Sequence, residues 1–244
     1  MADICIRPSA KTLPMFRLSS LLLLFCWFAL ISCGGSETTP ADLSLDYFPL
    51  ETGRYIIYDV TEQRFSLTAR PATSTFQLKE TVGTRYTDVL GQPAFRLQRF
   101  RRANAQANWQ TDSLWTTRTN SRAAIRTENG ADFVRLTFPA IERSRWNGNE
   151  LNRFGEDSYE LRSVNKPYSI GIQAFAETAT VLQQNDSMLV SQDKRVEVYA
   201  RQIGLVYKET VQLQFCSSTP TCVGKAQIDF GVRRYIRIAS YGTE

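Results

Sequence analysis

The stretch Arg195-Val196-Glu197-Val198-Tyr199-Ala200 alternates polar and apolar side chains without a break. Strict period two puts one set on each face of an extended chain, the pattern of a half-buried antiparallel strand with its polar face toward water. Arg64-Phe65-Ser66-Leu67-Thr68-Ala69 and Phe76-Gln77-Leu78-Lys79 read the same way. Further β-rich runs lie at 54–61, 85–90, 94–101, 108–117, 132–138, 157–163, 175–184, 205–215, 223–230 and 234–240. Turn chemistry falls between them at Gly83-Thr84, Gly91-Gln92-Pro93, Glu128-Asn129-Gly130, Asn147-Gly148-Asn149, Asn165-Lys166-Pro167 and Asn185-Asp186. No long segment carries a helical stripe, and Pro139 to Arg145 could form a single turn. The reading is all-β: one curved antiparallel sheet, as a half-open or closed barrel or a sandwich, with very little helix, in a single domain over 46–244.

Of the 244 residues, 43% are hydrophobic and 22% charged, enough for a real core and outside the disordered class. Histidine is absent. That excludes Ser-His-Asp and Cys-His nucleophiles, imidazole zinc ligands and histidine proton shuttles.

Upstream of the strands, residues 21–31 read LLLLFCWFALI, preceded by Arg7, Lys11 and Arg17. A cationic segment before a short apolar run predicts a secretory signal, since a spanning helix needs about 20 apolar residues. The run closes on Leu30-Ile31-Ser32-Cys33, which looks like a bacterial lipobox. That likeness implies cleavage between Ser32 and Cys33 and acylation of Cys33, giving enough chains for stable anchoring. Residues 1–32 are read as the signal, with Met15 an alternative start, and 33–45 as a flexible tether. Removing the signal takes away Arg7, Lys11, Arg17 and Asp3, so 29 basic and 24 acidic residues become 26 and 23, net +3. Gly34, with neither an aspartate nor an acidic run after the cysteine, resembles the sorting pattern of lipoproteins at the periplasmic face of an outer membrane, which is the expected location.

Two cysteines remain in the body, Cys216 and Cys222, and in an exported chain such a pair predicts a disulfide. Val211, Leu213 and Phe215 share one face, as do Gly224, Ala226, Ile228 and Phe230. Burying both sets together conflicts with directly opposed cysteines, so a bulge is expected between Cys222 and Ala226, at Gly224.

Three segments, Tyr47-Phe48-Pro49-Leu50-Glu51-Thr52-Gly53, Trp146-Asn147-Gly148-Asn149 and Tyr199-Ala200-Arg201-Gln202-Ile203-Gly204-Leu205-Val206-Tyr207-Lys208-Glu209, resemble recurring motifs of a group of Bacteroidota outer-membrane lipoproteins without an established activity. The resemblance implies an envelope location and one β-rich domain, and no chemistry.

Trp109 and Trp115, six apart, are expected on the same side of one strand, where they could line a ligand cavity or stand in the core. Trp146, beside a turn, is expected to plug one end of a barrel or to stand exposed. Arginine outnumbers lysine 23 to 6, and Arg96, Arg99, Arg101 and Arg102 cluster on one strand. Guanidinium forks suit phosphate and carboxylate, or an ion-paired surface. Glu156, Asp157 and Asp112 leave open a histidine-free two-carboxylate carbohydrate hydrolase or loop calcium, but no catalytic, cofactor or metal motif accompanies them. The expectation is a non-catalytic, membrane-anchored envelope lipoprotein that binds an apolar or amphipathic ligand or an envelope partner, not nucleic acid. An accessory subunit of an envelope uptake complex is the third reading.

Overall fold

The computed structural model describes residues 42–89 and 91–244, and among these it contains twelve strands. They are β1 Arg54–Ser66, β2 Ala69–Thr87, β3 Pro93–Arg102, β4 Gln110–Thr119, β5 Ala123–Glu128, β6 Ala131–Thr137, β7 Arg145–Asn147, β8 Ser158–Ile170, β9 Gln173–Ser187, β10 Ser191–Ala200, β11 Gly204–Phe215 and β12 Ile228–Thr243. One short 3-10 turn, Leu45–Tyr47, precedes them. The signal, Ser32, Cys33 and the tether as far as residue 41 lie outside the described residues. Residues 42–45, the last of the expected tether, pack against the body, and Ser44 is buried.

All twelve strands belong to one sheet, ordered β6-β5-β4-β3-β2-β1-β12-β11-β10-β9-β8-β7, and every neighbouring pair is antiparallel. β12 returns to lie beside β1, joining a wing of β1–β6 to a wing of β7–β11. The two edges then meet. The Val134 amide donates to the Gly148 carbonyl at 3.0 Å, and the Trp146 indole donates to the Val134 carbonyl at 2.9 Å. Asn152 Nδ2 adds a bond to the Asp132 carbonyl at 2.8 Å. The sheet thus curls into a nearly closed barrel, with its edges covered as edges in natural sheets generally are.

Tyr47 and Phe48 are buried and plug the end where β1 begins, with the rings of Phe48 and Tyr199 6.0 Å apart. Arg201 holds this segment, its guanidinium 2.7 Å from both Asp46 and Asp42. At the same end the β8–β9 hairpin kinks where its register shifts between Arg162 and Tyr168, with Ser163 and Asn165 at positive φ. The folded hairpin covers the outer face of β11 and β12: Tyr168 meets Tyr207, and Gln173 Nε2 donates to the carbonyls of Ile238 and Ala239.

Several local expectations change. Leu67-Thr68 is the hairpin turn between β1 and β2, so the alternation over 64–69 spans two strands. Gly83-Thr84 is no turn but a register shift within the nineteen-residue β2. Asn165-Lys166-Pro167 is a kink inside β8, and the turn expected at Asn185-Asp186 falls three residues later. β5 and β7 were not apparent in the sequence: Arg126 and Arg145 are charges that point to solvent in an ordinary strand pattern. Cys216 and Cys222 form the disulfide, with Cα atoms 5.7 Å apart. The expected bulge at Gly224 is absent. Cys222 to Lys225 lie in successive turns, and the ladder shifts instead where Gln214 faces Phe230 and Phe215 faces Ile228. The conflict of register is therefore relieved by taking the bridge out of the ladder altogether.

The Trp146-Asn147-Gly148-Asn149 turn shows how local sequence seals the seam. Asn147 Oδ1 accepts from the amides of Asn149 and Asp157 at 2.9 and 3.0 Å. Trp146 is buried and stands edge-on to Tyr159, ring centres 5.9 Å apart, so it is neither exposed nor at a barrel end but part of the seam. A Cβ on Gly148 would lie 2.3 Å from the Tyr159 ring. Gly148→Ala is expected to destabilise the protein by about 1–3 kcal/mol through overpacking, and Gly155→Ala, in open space, by less than about 0.5 kcal/mol. Urea denaturation of the two variants checks this; equal midpoints would show that the Tyr159 contact does not constrain the turn.

Candidate functional site

Directly opposed residues of an antiparallel pair share a face, so register decides which side chains line the lumen. Starting from buried Tyr58, the inward set on β1 is Tyr58, Val60 and Glu62. The ladder carries that face to Leu78 and Glu80 on β2, Arg99 and Arg101 on β3, Trp115 on β4 and Arg126 on β5. In the other direction it carries to Arg234 and Ile236 on β12, Lys208 on β11 and Glu197 on β10. The polar face expected to meet water is therefore the interior, and Glu197 is only 2% exposed.

An interior of this kind holds charge only if every charge is compensated. Glu197 accepts from Tyr199 Oη at 2.6 Å and from Lys208 Nζ at 2.7 Å, with Arg135 at 3.6 Å. Arg135 also pairs with Glu128. Glu80 lies between Arg99 at 3.0 Å and Arg126 at 3.3 Å. Toward the far end Glu62 is shared by Arg64 and Arg234. Burial by itself would raise the Glu197 carboxyl, but Lys208, Arg135 and the Tyr199 hydroxyl more than offset it and hold it well below the carboxylate range. Burial likewise works against Glu128 and Glu62, and their neighbouring cations hold both low.

The three tryptophans are not brought together. A register shift between Arg99 and Phe100 leaves Asp112 with no residue opposite it in the ladder and reverses the side on which Trp109 emerges. Trp115 faces the lumen with Arg99 stacked on it at 3.7 Å. Trp109 lies outside under Arg102 at 4.2 Å. Trp115 lines the small mid-lumen cavity. The same parity splits the arginine cluster: Arg99 and Arg101 point in, Arg102 points out toward Gln77, and Arg96 is exposed. Of the candidate carboxylates, Asp157 is held by both nitrogens of the Arg195 fork at 2.7 and 2.9 Å. Asp112 pairs with Arg99 at 3.3 Å, and Glu156 is exposed.

The free space follows the barrel axis. Behind the plug is a cavity of about 50 Å³, lined by Phe48, Ile56, Val82, Leu97 and Leu205. The middle of the lumen leaves about 30 Å³ beside Trp115 and Arg126. At the open mouth, where β1 ends, a cavity of about 250 Å³ is lined by Arg64, Arg99, Arg101 and Arg234, with Val60, Phe76, Leu78 and Ile236 as apolar walls and Glu62 and Asp112 as its acids. Sequence reasoning missed Glu62, Arg64, Phe76 and Arg234 here. The i, i+2 spacing of Glu62 with Arg64 was a signal that the two share a face. A cleft of about 420 Å³ lies outside the plug, between Leu45, Pro49 and Phe95. Among the described residues no group of three or more Cys, Asp or Glu side chains is arranged to hold a metal ion.

Comparison with protein families finds no match, and no curated protein matches the chain. Among solved structures the chain is similar to a protein from Bacteroides fragilis described as exported and as having a YmcC-like fold, at 10% identity and a TM-score of 0.42, over 80% of this chain and 98% of that one.

The lumen fixes the pH response. Carboxyls held low in the folded state contribute stability above the unfolded value of about 4.3 and lose it as pH falls through their folded values. With no histidine to titrate, stability is expected to be level from about pH 8 to 5.5 and to decline below about 4.5. Glu197→Gln should flatten that acid decline, and Glu197→Ala should cost about 3–5 kcal/mol at pH 7 by leaving Lys208 and Arg135 uncompensated. Denaturant midpoints across pH test both, and an unchanged acid limb in Glu197→Gln would remove the lumen as its source.

Proposed function

We propose that this chain is a non-catalytic binding protein of the bacterial cell envelope, anchored to the outer membrane through lipidated Cys33 at the periplasmic face, and that it takes an amphipathic ligand at the open mouth of its barrel. The observation that carries the reading is the mouth itself: about 250 Å³ in which guanidiniums and the apolar side chains of Val60, Phe76, Leu78 and Ile236 meet. Most ligand sites combine apolar walls with a few convergent polar groups. The cavity behind the plug, at about 50 Å³ and walled in part by Glu80 and Arg126, is too small to swallow an acyl chain, so the ligand is held at the rim. Chemistry of the two-carboxylate kind needs one carboxyl kept protonated near neutrality. Glu62, Glu128 and Glu197 are instead held low by paired cations, which supports binding over hydrolysis.

The lipobox likeness of Leu30-Ile31-Ser32-Cys33 and the likeness of three body segments to Bacteroidota lipoproteins support the location. A second reading, docking to an envelope protein, is favoured by Leu67, Met188, Leu189 and Phe230, exposed near the mouth end of the strands.

Wild-type chain is expected in the detergent phase of envelope extracts and Cys33→Ala in the aqueous phase; equal partition of the two would overturn the anchor. Native mass spectrometry of the purified wild type should show a small co-purified amphiphile that exchanges with added amphiphile. Neither retention nor exchange of one would leave the mouth without a ligand and favour the docking reading.

A further inference from the structure

The mouth carries more positive than negative charge, and its guanidiniums are not equally occupied. Arg64 and Arg234 share Glu62, and Arg99 is divided between Glu80 and Asp112. Arg101 has no carboxylate partner among the described residues. Its guanidinium stands over Phe76, 3.7 Å from the ring centre, and lines the cavity with its N–H groups uncommitted to any carboxylate. Against these four cations the cavity wall offers two carboxylates, an excess of two positive charges.

Deeper in, where Arg99, Leu78 and Ile236 line both spaces, the mouth adjoins the small mid-lumen cavity. Two buried donors there, Trp115 Nε1 and Arg126 Nε, have no hydrogen-bond partner. Buried donors are rarely left unpaired, and both call for an acceptor. Positive excess, a pre-oriented fork and surplus donors all point to an oxygen-rich anion.

On the reading of the mouth as the ligand site, we infer that it is a receptor for a phosphate-type oxyanion, with Arg101 and Arg234 as its principal forks and Arg99 behind them. A phosphomonoester carries about −1.5 to −2 charges near neutrality, which matches the excess at the mouth. Its oxygens accept two parallel bonds from each fork. Phe76, Val60 and Ile236 are placed to receive an apolar substituent beside the headgroup. Glu62 already holds Arg234, Glu80 holds Arg99, and Phe76 carries Arg101, so part of the side-chain ordering is done before binding.

The test is calorimetric titration of the full lipidated chain in dodecyl maltoside, with inorganic phosphate, hexyl phosphate and hexanol as probes and empty micelles as control. Hexyl phosphate is expected to bind and hexanol to bind at least about tenfold more weakly. Arg101→Gln and Arg234→Gln should each weaken hexyl phosphate by about tenfold, and Arg101→Lys by less, because it keeps the charge and loses the fork. Circular dichroism confirms that the variants are folded, and raising salt should weaken the wild type. Hexyl phosphate binding more tightly than inorganic phosphate identifies the source as an amphiphile headgroup, and equal affinities identify a free anion; both keep the oxyanion chemistry. Equal binding of hexanol and hexyl phosphate, or no loss in Arg101→Gln, would overturn the oxyanion site while leaving the mouth as an amphiphile site. Failure of all three probes to bind would overturn that reading as well.

Discussion

Burying ionised groups inside a barrel constrains everything else in this structure. Glu197 is surrounded by Lys208, Arg135 and Tyr199, and the contact reaches across the molecule. Arg135 comes from β6, the last strand of one wing, and Glu197 and Lys208 from β10 and β11 in the other. The ion pair thus acts as a cross-tie between two halves whose backbones are also joined through β1 and β12, by the chain running from β6 to β7, and along the short seam at Val134 and Gly148. In a low-dielectric interior neither half can relax away from the other without stranding a charge. The close packing of Leu136, Leu161, Val181 and Tyr199 around the tie follows from the same requirement, because water must be kept from a pair that would otherwise hydrate.

The fold class was legible because alternation is a property of strands whichever way they face. Period two in Arg195–Ala200 requires extended chain, and many such runs with short connections require an antiparallel sheet. What alternation does not carry is the sign of each face. Glu197 reads as solvent-facing unless one knows that Arg135, 62 residues away, arrives to meet it. The same ambiguity hid β5, whose Arg126 is compensated by Glu80 from another strand, and β7, whose three residues are too few for any period. Register was less legible still. The arithmetic at Cys216 and Cys222 detected a real conflict but placed its resolution inside the bridge, whereas the chain resolves it by excluding the bridge from the ladder.

The site was legible in composition more than in position. Arginine dominance and the proximity of Arg99 to Arg101 pointed to guanidinium chemistry. A single residue skipped by the ladder, Asp112, then decides that Trp115 joins the lumen and Trp109 does not. The three motif segments singled out in the sequence are architectural: Tyr47 and Phe48 form the plug, Trp146 to Asn149 the seam, and Tyr199 to Glu209 the strand–turn–strand that carries Arg201 and Lys208. None of them reaches the mouth, where Arg101, Arg234 and Phe76 stand.

Arg201 also has a mechanical meaning. It grips Asp42 and Asp46 ahead of β1 while resting on Asn165 and Glu177 of the opposite wing. A pull on the chain from the side of residue 42 is therefore borne first by a guanidinium fork bonded on several sides, and only afterwards by the hydrogen bonds of β1 to β2 and β12. The clamp can slip one carboxylate at a time and re-form before those ladders are loaded. Arg201 therefore makes the domain's first response to a pull at residue 42 a yielding one, remote from the lumen.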